Sequence, residues 1–132
     1  MLRLEIVTPE KRVLDAEVDS VTVPTASGEA GILPHHAPLV SALKPGILAY
    51  SAKGHTDRVA VSSGFVEVNN DKVSVLVDTA ETADEIDAAT ARTQRDAAER
   101  DVTSAGTLTS DEAESARETV DLADARLAVA SK

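Results

Sequence analysis

The first two-thirds of the chain alternates apolar and polar positions in short runs. Leu2, Leu4 and Ile6 alternate with Arg3, Glu5 and Val7, and Pro9 ends the run. Val18 to Val23 is a second run, stopped by Pro24. Gly46-Ile47-Leu48-Ala49-Tyr50 leads to a turn signal at Lys53-Gly54, and Arg58 to Val61 ends near Gly64. Phe65-Val66-Glu67-Val68 turns at Asn69-Asn70-Asp71 and returns as Val73-Ser74-Val75-Leu76-Val77, the clearest hairpin signal in the chain. A period of two predicts strands. Their recurrence every roughly 8–12 residues predicts a sandwich or flattened barrel of short antiparallel strands.

From Thr79 onward the period changes. Ala113, Ala116, Val120, Ala123, Leu127 and Ala130 are separated by gaps of 3, 4, 3, 4 and 3, a helical seam. Two capping-box patterns, Thr82-Ala83-Asp84-Glu85 and Thr109-Ser110-Asp111-Glu112, predict helices over about 83–102 and 110–130. Gly106, between them, suits a left-handed cap. A short connection makes the pair an antiparallel hairpin. The predicted fold is therefore a small β-sandwich at residues 1–80 followed by a two-helix hairpin at 83–132. The seam is mostly alanine. At roughly 25 cal/mol per Å² it buries little, so the hairpin is expected to be weakly held and able to open.

Composition sharpens this division. All five prolines lie within residues 1–45, and five of the six glycines within 1–64. Residues 1–78 carry seven Lys/Arg and ten Asp/Glu, net −3, and residues 79–132 carry six and thirteen, net −7. The total of −10 argues against nucleic acid and anionic lipid as direct partners. The chain has no cysteine, which removes disulfides, thiolate nucleophiles and Cys-built zinc sites. No apolar run approaches the ~20 residues of a membrane span. The start, Met1-Leu2-Arg3-Leu4-Glu5, lacks a signal-peptide pattern, and a soluble intracellular-type protein is expected.

Candidate chemistry is sparse. His35 and His36 are adjacent in a predicted extended segment, where side chains diverge, and with His55 alone elsewhere they suit loop hydrogen bonds better than a metal. Ser62-Ser63-Gly64 is not a nucleophile elbow, and Gly28 and Gly31 do not form a phosphate loop. Asp84, Glu85 and Asp87 read as first-turn acids matched to a helix dipole rather than as metal ligands. Arg92, Arg95, Arg100, Arg117 and Arg126 could cradle a phosphate between the helices or serve as solvated, ion-paired faces. No nucleophile, base and oxyanion donor can be assembled, so no catalytic residue is assigned.

Residues 28–46 read Gly-Glu-Ala-Gly-Ile-Leu-Pro-His-His-Ala-Pro-Leu-Val-Ser-Ala-Leu-Lys-Pro-Gly. This resembles the signature of the epsilon subunit of the F-type ATP synthase, G-E-x-G-I-L/Y-P-G-H-A-P-L-x-T/S-x-L/I-K-P-G. Leu4-Glu5-Ile6-Val7-Thr8-Pro9, Ser63-Gly64-Phe65-Val66-Glu67-Val68, Val75-Leu76-Val77-Asp78-Thr79-Ala80 and Glu85-Ile86-Asp87 extend the likeness along the chain. The resemblance implies a non-catalytic subunit of the central rotor. Its sandwich would attach to the gamma subunit and rest on the c-ring, coupling proton flow to ATP synthesis. Its hairpin would be able to extend toward the alpha/beta hexamer as a brake on ATP hydrolysis. The implied location is peripheral, on the cytoplasmic face of the bacterial inner membrane, with membrane association only through the complex.

Carried over residue by residue, Glu29 and His36 match positions in loops facing the c-ring and are the partner-contact candidates. Pro34, Ala37 and Pro38 fix the loop's path. His35 stands where the family has glycine; if φ there is positive, a side chain costs about 1–2 kcal/mol. Family members that bind ATP in the hairpin carry I/L-D-x-x-R-A. Here the stretch is Ile86-Asp87-Ala88-Ala89-Thr90-Ala91, with Thr90 in the arginine position. Thr lacks the charged fork that holds phosphate, so no ATP cofactor is expected. Ile86, Asp87 and Arg92 are the nucleotide candidates that remain, and Arg92 lies about 200° round the helix from Thr90. Residues 110–132 are net −3, which predicts weak or differently wired docking on an acidic segment of the beta subunit. Two other readings stand beside the rotor subunit: an ATP-sensing module, and a free-standing acidic β-sandwich adaptor.

Overall fold

The computed structural model describes residues 1–103 and 110–130, with side chains given through Arg100 and from Glu114 onward. Ten strands come first: β1 (Leu2–Val7), β2 (Arg12–Val18), β3 (Ser20–Thr25), β4 (Gly28–Ile32), β5 (Leu39–Leu43), β6 (Gly46–Ala52), β7 (His55–Val61), β8 (Gly64–Asn69), β9 (Lys72–Val77) and β10 (Ala80–Glu81). A 3₁₀ turn at Ala83–Glu85 follows, then α1 (Ala88–Thr103) and α2 (Ser110–Ala130).

The strands wrap in the order β10-β7-β6-β3-β5-β8-β9-β1-β2, with β4 paired to β3, into a nearly closed sandwich. Neighbours are antiparallel except β1, which lies parallel to β9, Leu4 facing Val73 and Ile6 facing Val75. The period of two does the sorting. Leu2, Leu4, Ile6, Val66, Val68, Val73 and Val75 all point inward and are at most 1% exposed. Val21, Val23, Ile32, Leu48, Val59 and Val61 complete the same core. The β8–β9 hairpin turns at Asn70 and Asp71, both at positive φ (52° and 62°), the conformation a two-residue hairpin needs. Pro24 does not stop β3 but lies inside it, opposite Glu29, and its carbonyl accepts the Lys44 N–H at 3.0 Å.

Two features of the helical part differ from the sequence expectation. The Thr82 capping box forms, with Glu85 Oε1 accepting the Thr82 N–H at 3.1 Å, yet it closes only the 3₁₀ turn. Ile86 is then extended (φ −92°, ψ 126°), so α1 begins at Ala88 rather than at 83. Asp87 caps it: Oδ1 accepts the N–H of Ala89 (3.0 Å) and Thr90 (3.3 Å), and Oδ2 accepts the Thr90 hydroxyl (2.8 Å). The Gly106 cap and the capping box at 109–112 lie outside the described residues.

α2 has two apolar stripes rather than one. Ala123 of the expected seam is buried, with Ala116, Val120, Leu127 and Ala130 half-buried. Ala125 and Val129, outside that seam, are buried as well; they pack on Ala60 of β7, with Ile47 of β6 and Ile86 alongside. α2 thus roofs the outer face of β6 and β7, and α1 packs on α2. They run antiparallel, as Gln94 meets Arg126 and Arg95 meets Asp124.

Candidate functional site

The glycine- and proline-rich stretch after β4 makes a tight turn. The His36 N–H donates to the Leu33 carbonyl at 3.1 Å, with Pro34 and His35 between them. His35 has φ +69° at the third position of a type II turn, where glycine is usual. Its backbone N–H donates to Asp71 Oδ1 at 2.6 Å, and its ring Nδ1 lies 3.9 Å from Asp71 Oδ2. A charged hydrogen bond from the β8–β9 hairpin thus offsets the cost of the side chain, and the turn keeps the backbone expected for glycine.

Next to it, the His36 ring is 2.7 Å from the Ala37 carbonyl through Nδ1. A carbonyl only accepts, so Nδ1 carries the proton and donates it. Glu29 is exposed on β4, opposite Pro24. It borders a groove of about 490 Å³ shared with Lys44, Gly46, Asp121 and Asp124. Glu29 and His36 flank β4 at its two ends, and the structure does not bring them into contact. Three strand steps, about 10 Å, separate Glu29 from Ile32 alone.

Two of the three nucleotide candidates, Ile86 and Asp87, do structural work. Ile86 packs into the cluster beneath α2. Asp87 caps α1, and the bonds from the Thr90 hydroxyl and backbone hold its carboxyl below the usual carboxylate range. Ala91 is fully buried and Arg92 is exposed. A cavity of about 970 Å³ does open between the helices and the sandwich edge, lined by Lys11, Glu81, Glu85, Gln94, Leu122 and Arg126. Its cations are already paired. Lys11 Nζ is 3.2 Å from Glu85, and Arg126 Nε is 2.8 Å from Glu81 while its Nη1 donates to Gln94 at 2.7 Å. Glu10 and Asp78 add two more acids to the wall, so it holds four carboxylates against two cations. That field repels a triphosphate.

Two features escaped sequence reasoning. Arg126 is one: it joins β10, α1 and α2, with only 14% of its side chain exposed. Sequence reading placed it only among generic arginines, because the partner Glu81 lies 45 residues away. The other is an apolar row on the outer face of β8 and β9, where Phe65 is 59% and Leu76 53% exposed. The alternation places both on one face, but not which face is outside.

The beta-sandwich domain of the ATP synthase delta/epsilon chain matches residues 1–83. The chain is 53% identical over 104 residues to the ATP synthase epsilon chain of Desulforamulus reducens, covering 79% of each. It is 52% identical over 99 residues to that of Nitratidesulfovibrio vulgaris, covering 75% of this chain and 74% of the other. Among solved structures, a chain of the Euglena gracilis mitochondrial ATP synthase (OSCP/F1/c-ring) superposes with a TM-score of 0.80 at 24% identity, over 99% of this chain and 81% of that one. A chain of the Tetrahymena thermophila central stalk and c-ring gives 0.63 at 17% identity, over 96% of both. At those identities the two structures speak for the fold.

Proposed function

The chain belongs to the ATP synthase epsilon family, and from that premise we propose that it is a non-catalytic central-stalk subunit, held between the gamma subunit and the c-ring. The carrying observation is the family match over residues 1–83, which spans all ten strands of the sandwich. Glu29 and His36 are the contacts offered to the c-ring. Membrane association is peripheral, on the cytoplasmic face, and comes through the complex; no described helix is long and apolar enough to cross a bilayer. The hairpin is a regulatory arm able to leave the sandwich and reach toward the catalytic hexamer.

In size-exclusion chromatography at moderate salt, the chain is expected to co-elute one-to-one with the purified gamma subunit from the same source. Absence of a complex, with gamma shown to be folded, overturns this reading in favour of an acidic adaptor. The ATP-sensing alternative is disfavoured by the paired cations and surplus acids of the hairpin cavity. Calorimetry with millimolar ATP is expected to give no heat of binding; a saturable signal would reinstate that alternative.

A further inference from the structure

Among the described residues, four that are not glycine have positive φ: His35 (69°), Lys53 (54°), Asn70 (52°) and Asp71 (62°). Asn70 and Asp71 are of the residue types that tolerate this conformation best. His35 and Lys53 are not, and each receives the same support. The Lys53 N–H donates to Asp19 Oδ2 at 3.0 Å, and the His35 N–H donates to Asp71 Oδ1 at 2.6 Å. The two aspartates lie 34 and 36 residues away in sequence. A remote carboxylate on the backbone N–H is how this fold holds a left-handed residue of the wrong type.

The two turns differ in what else fixes them. Lys53 and Gly54 close a hairpin whose strands pair right up to Ala52 and His55. Residues 33–38 have no such ladder, because β4 ends at Ile32 and β5 begins at Leu39. The bond from the His36 N–H to the Leu33 carbonyl closes the turn on itself, and the His36 ring bonds the adjacent Ala37 carbonyl. Among the described residues, it is the Asp71 carboxylate that ties this stretch to another element. Asp71 is itself anchored. It sits half-buried in the β8–β9 turn, between the paired Asn69 and Lys72, and its carbonyl accepts the Arg3 N–H at 2.8 Å. Arg3 in turn grips Asp15 of β2 through two bonds, at 3.0 and 2.9 Å. A carboxylate so fixed restrains the His35 N–H more firmly than a neutral acceptor would.

We infer that Asp71 is the positioning residue of the β4–β5 turn: its grip on the His35 N–H fixes the turn, and with it His36, in the conformation presented to the c-ring. The inference deepens the rotor reading above and rests on it for the identity of the partner.

The test uses the full chain, first alone and then as its complex with the gamma subunit, titrated onto the purified c-ring in detergent. Asp71→Gly removes the carboxylate and leaves Asn70 followed by glycine, a favoured pair for a two-residue hairpin turn, so the β8–β9 hairpin is kept. In this variant amide exchange at His35 and His36, read by NMR, is expected to rise about 10–100-fold, the loss of one charged hydrogen bond. Exchange at Asn69 and Lys72 should not change. Affinity for the c-ring is expected to fall about tenfold. Adding His35→Gly should restore that affinity to within about twofold, because glycine holds positive φ without a clamp. A role of Asp71 confined to its own hairpin would not respond to a change at position 35. Unchanged exchange at His35 in Asp71→Gly overturns the clamp. Faster exchange with unchanged affinity overturns the positioning role and leaves the rotor reading standing. Lost affinity that His35→Gly does not restore shows that Asp71 meets the c-ring directly, which also overturns it. If the complex of the unaltered chain does not bind the c-ring, the rotor reading falls and the assigned partner with it, while the exchange data still decide whether Asp71 holds the turn.

Discussion

The sandwich and the hairpin are both built without a large aromatic core, yet they are held together by different chemistry. In the sandwich, seventeen buried residues from every strand but β2's outer half converge on one interior, nearly all Val, Leu or Ile. Among the described residues of the hairpin, the buried ones are Ala91, Ala98, Ala123, Ala125 and Val129. Alanine gives up little area to burial, and a half-buried ion pair, Arg126 to Glu81, joins α2 to β10, with the exposed pair Lys11 to Glu85 beside it; Arg95 to Asp124 ties the two helices to each other. Apolar burial is non-directional and shared by the whole core. An ion pair is directional and separable. The difference predicts that the sandwich melts as a unit while the hairpin loosens separately.

Three changes break or sharpen that contrast, in descending size. Leu4→Ala empties a fully buried position in the sandwich and should cost about 2–5 kcal/mol of global stability, read by chemical denaturation. A transition that stays put in that variant would mean the two regions do not differ as described. Arg126→Met removes the charge shared by β10, α1 and α2 and should loosen the hairpin by about 1.5–3 kcal/mol. Amide exchange should rise in α1 and α2 and remain unchanged in β1, β8 and β9; faster exchange throughout the sandwich would show that the two regions melt together.

The smallest effect concerns pH. The Asp87 carboxyl is held below its ordinary range first by the Thr90 hydroxyl and then by backbone N–H groups, and Glu85 first by the Thr82 N–H. Because the folded-state values are depressed, their stabilisation is present above the ordinary carboxylate range. It is lost as pH falls below about 4. The start of α1 should fray on acidification before the sandwich changes. Asp87→Asn should flatten that acid response, as seen by amide chemical shifts; an unaltered response would remove Asp87 from the cap.

Much of the fold was legible where β-branched residues alternate cleanly, as in β1, β8 and β9. It was less so where other chemistry overlies the period. β2, Arg12–Val18, mixes charges into its outward positions, and β4 and β5 lie in the stretch rich in Gly, Pro and His. Pro24 reads as a stop signal, but its carbonyl, not its missing N–H, is what the neighbouring chain uses. The start of α1 was misread because two cap signals overlap, Thr82 to Glu85 and Asp87 to Thr90. Packing decides between them. Ile86 has to stay extended to reach Ala60 and Val129, and Lys11 ties Glu85 to the β1–β2 loop.

The candidate site was less legible still. Glu29 and His36 carry no local signal of their own and came only from resemblance. Phe65 and Leu76 follow the alternation faithfully, but an apolar residue on the outward phase of a strand looks like any other until the inward phase is known. Only the register across β5, β8, β9 and β1 turns Ala42, Phe65, Leu76 and Val7 into one row.

The parallel pairing of β1 with β9 has a consequence for how this chain is made. Arg3 to Val7 must find Lys72 to Leu76, so the first strand to leave the ribosome waits for nearly the last. At about 5–20 residues per second, that wait lasts roughly 4–14 s, during which an apolar edge stays unpaired. Closing so long a loop predicts slow folding of the sandwich. The helices, synthesised next, arrive just as the surface they lie on comes into existence.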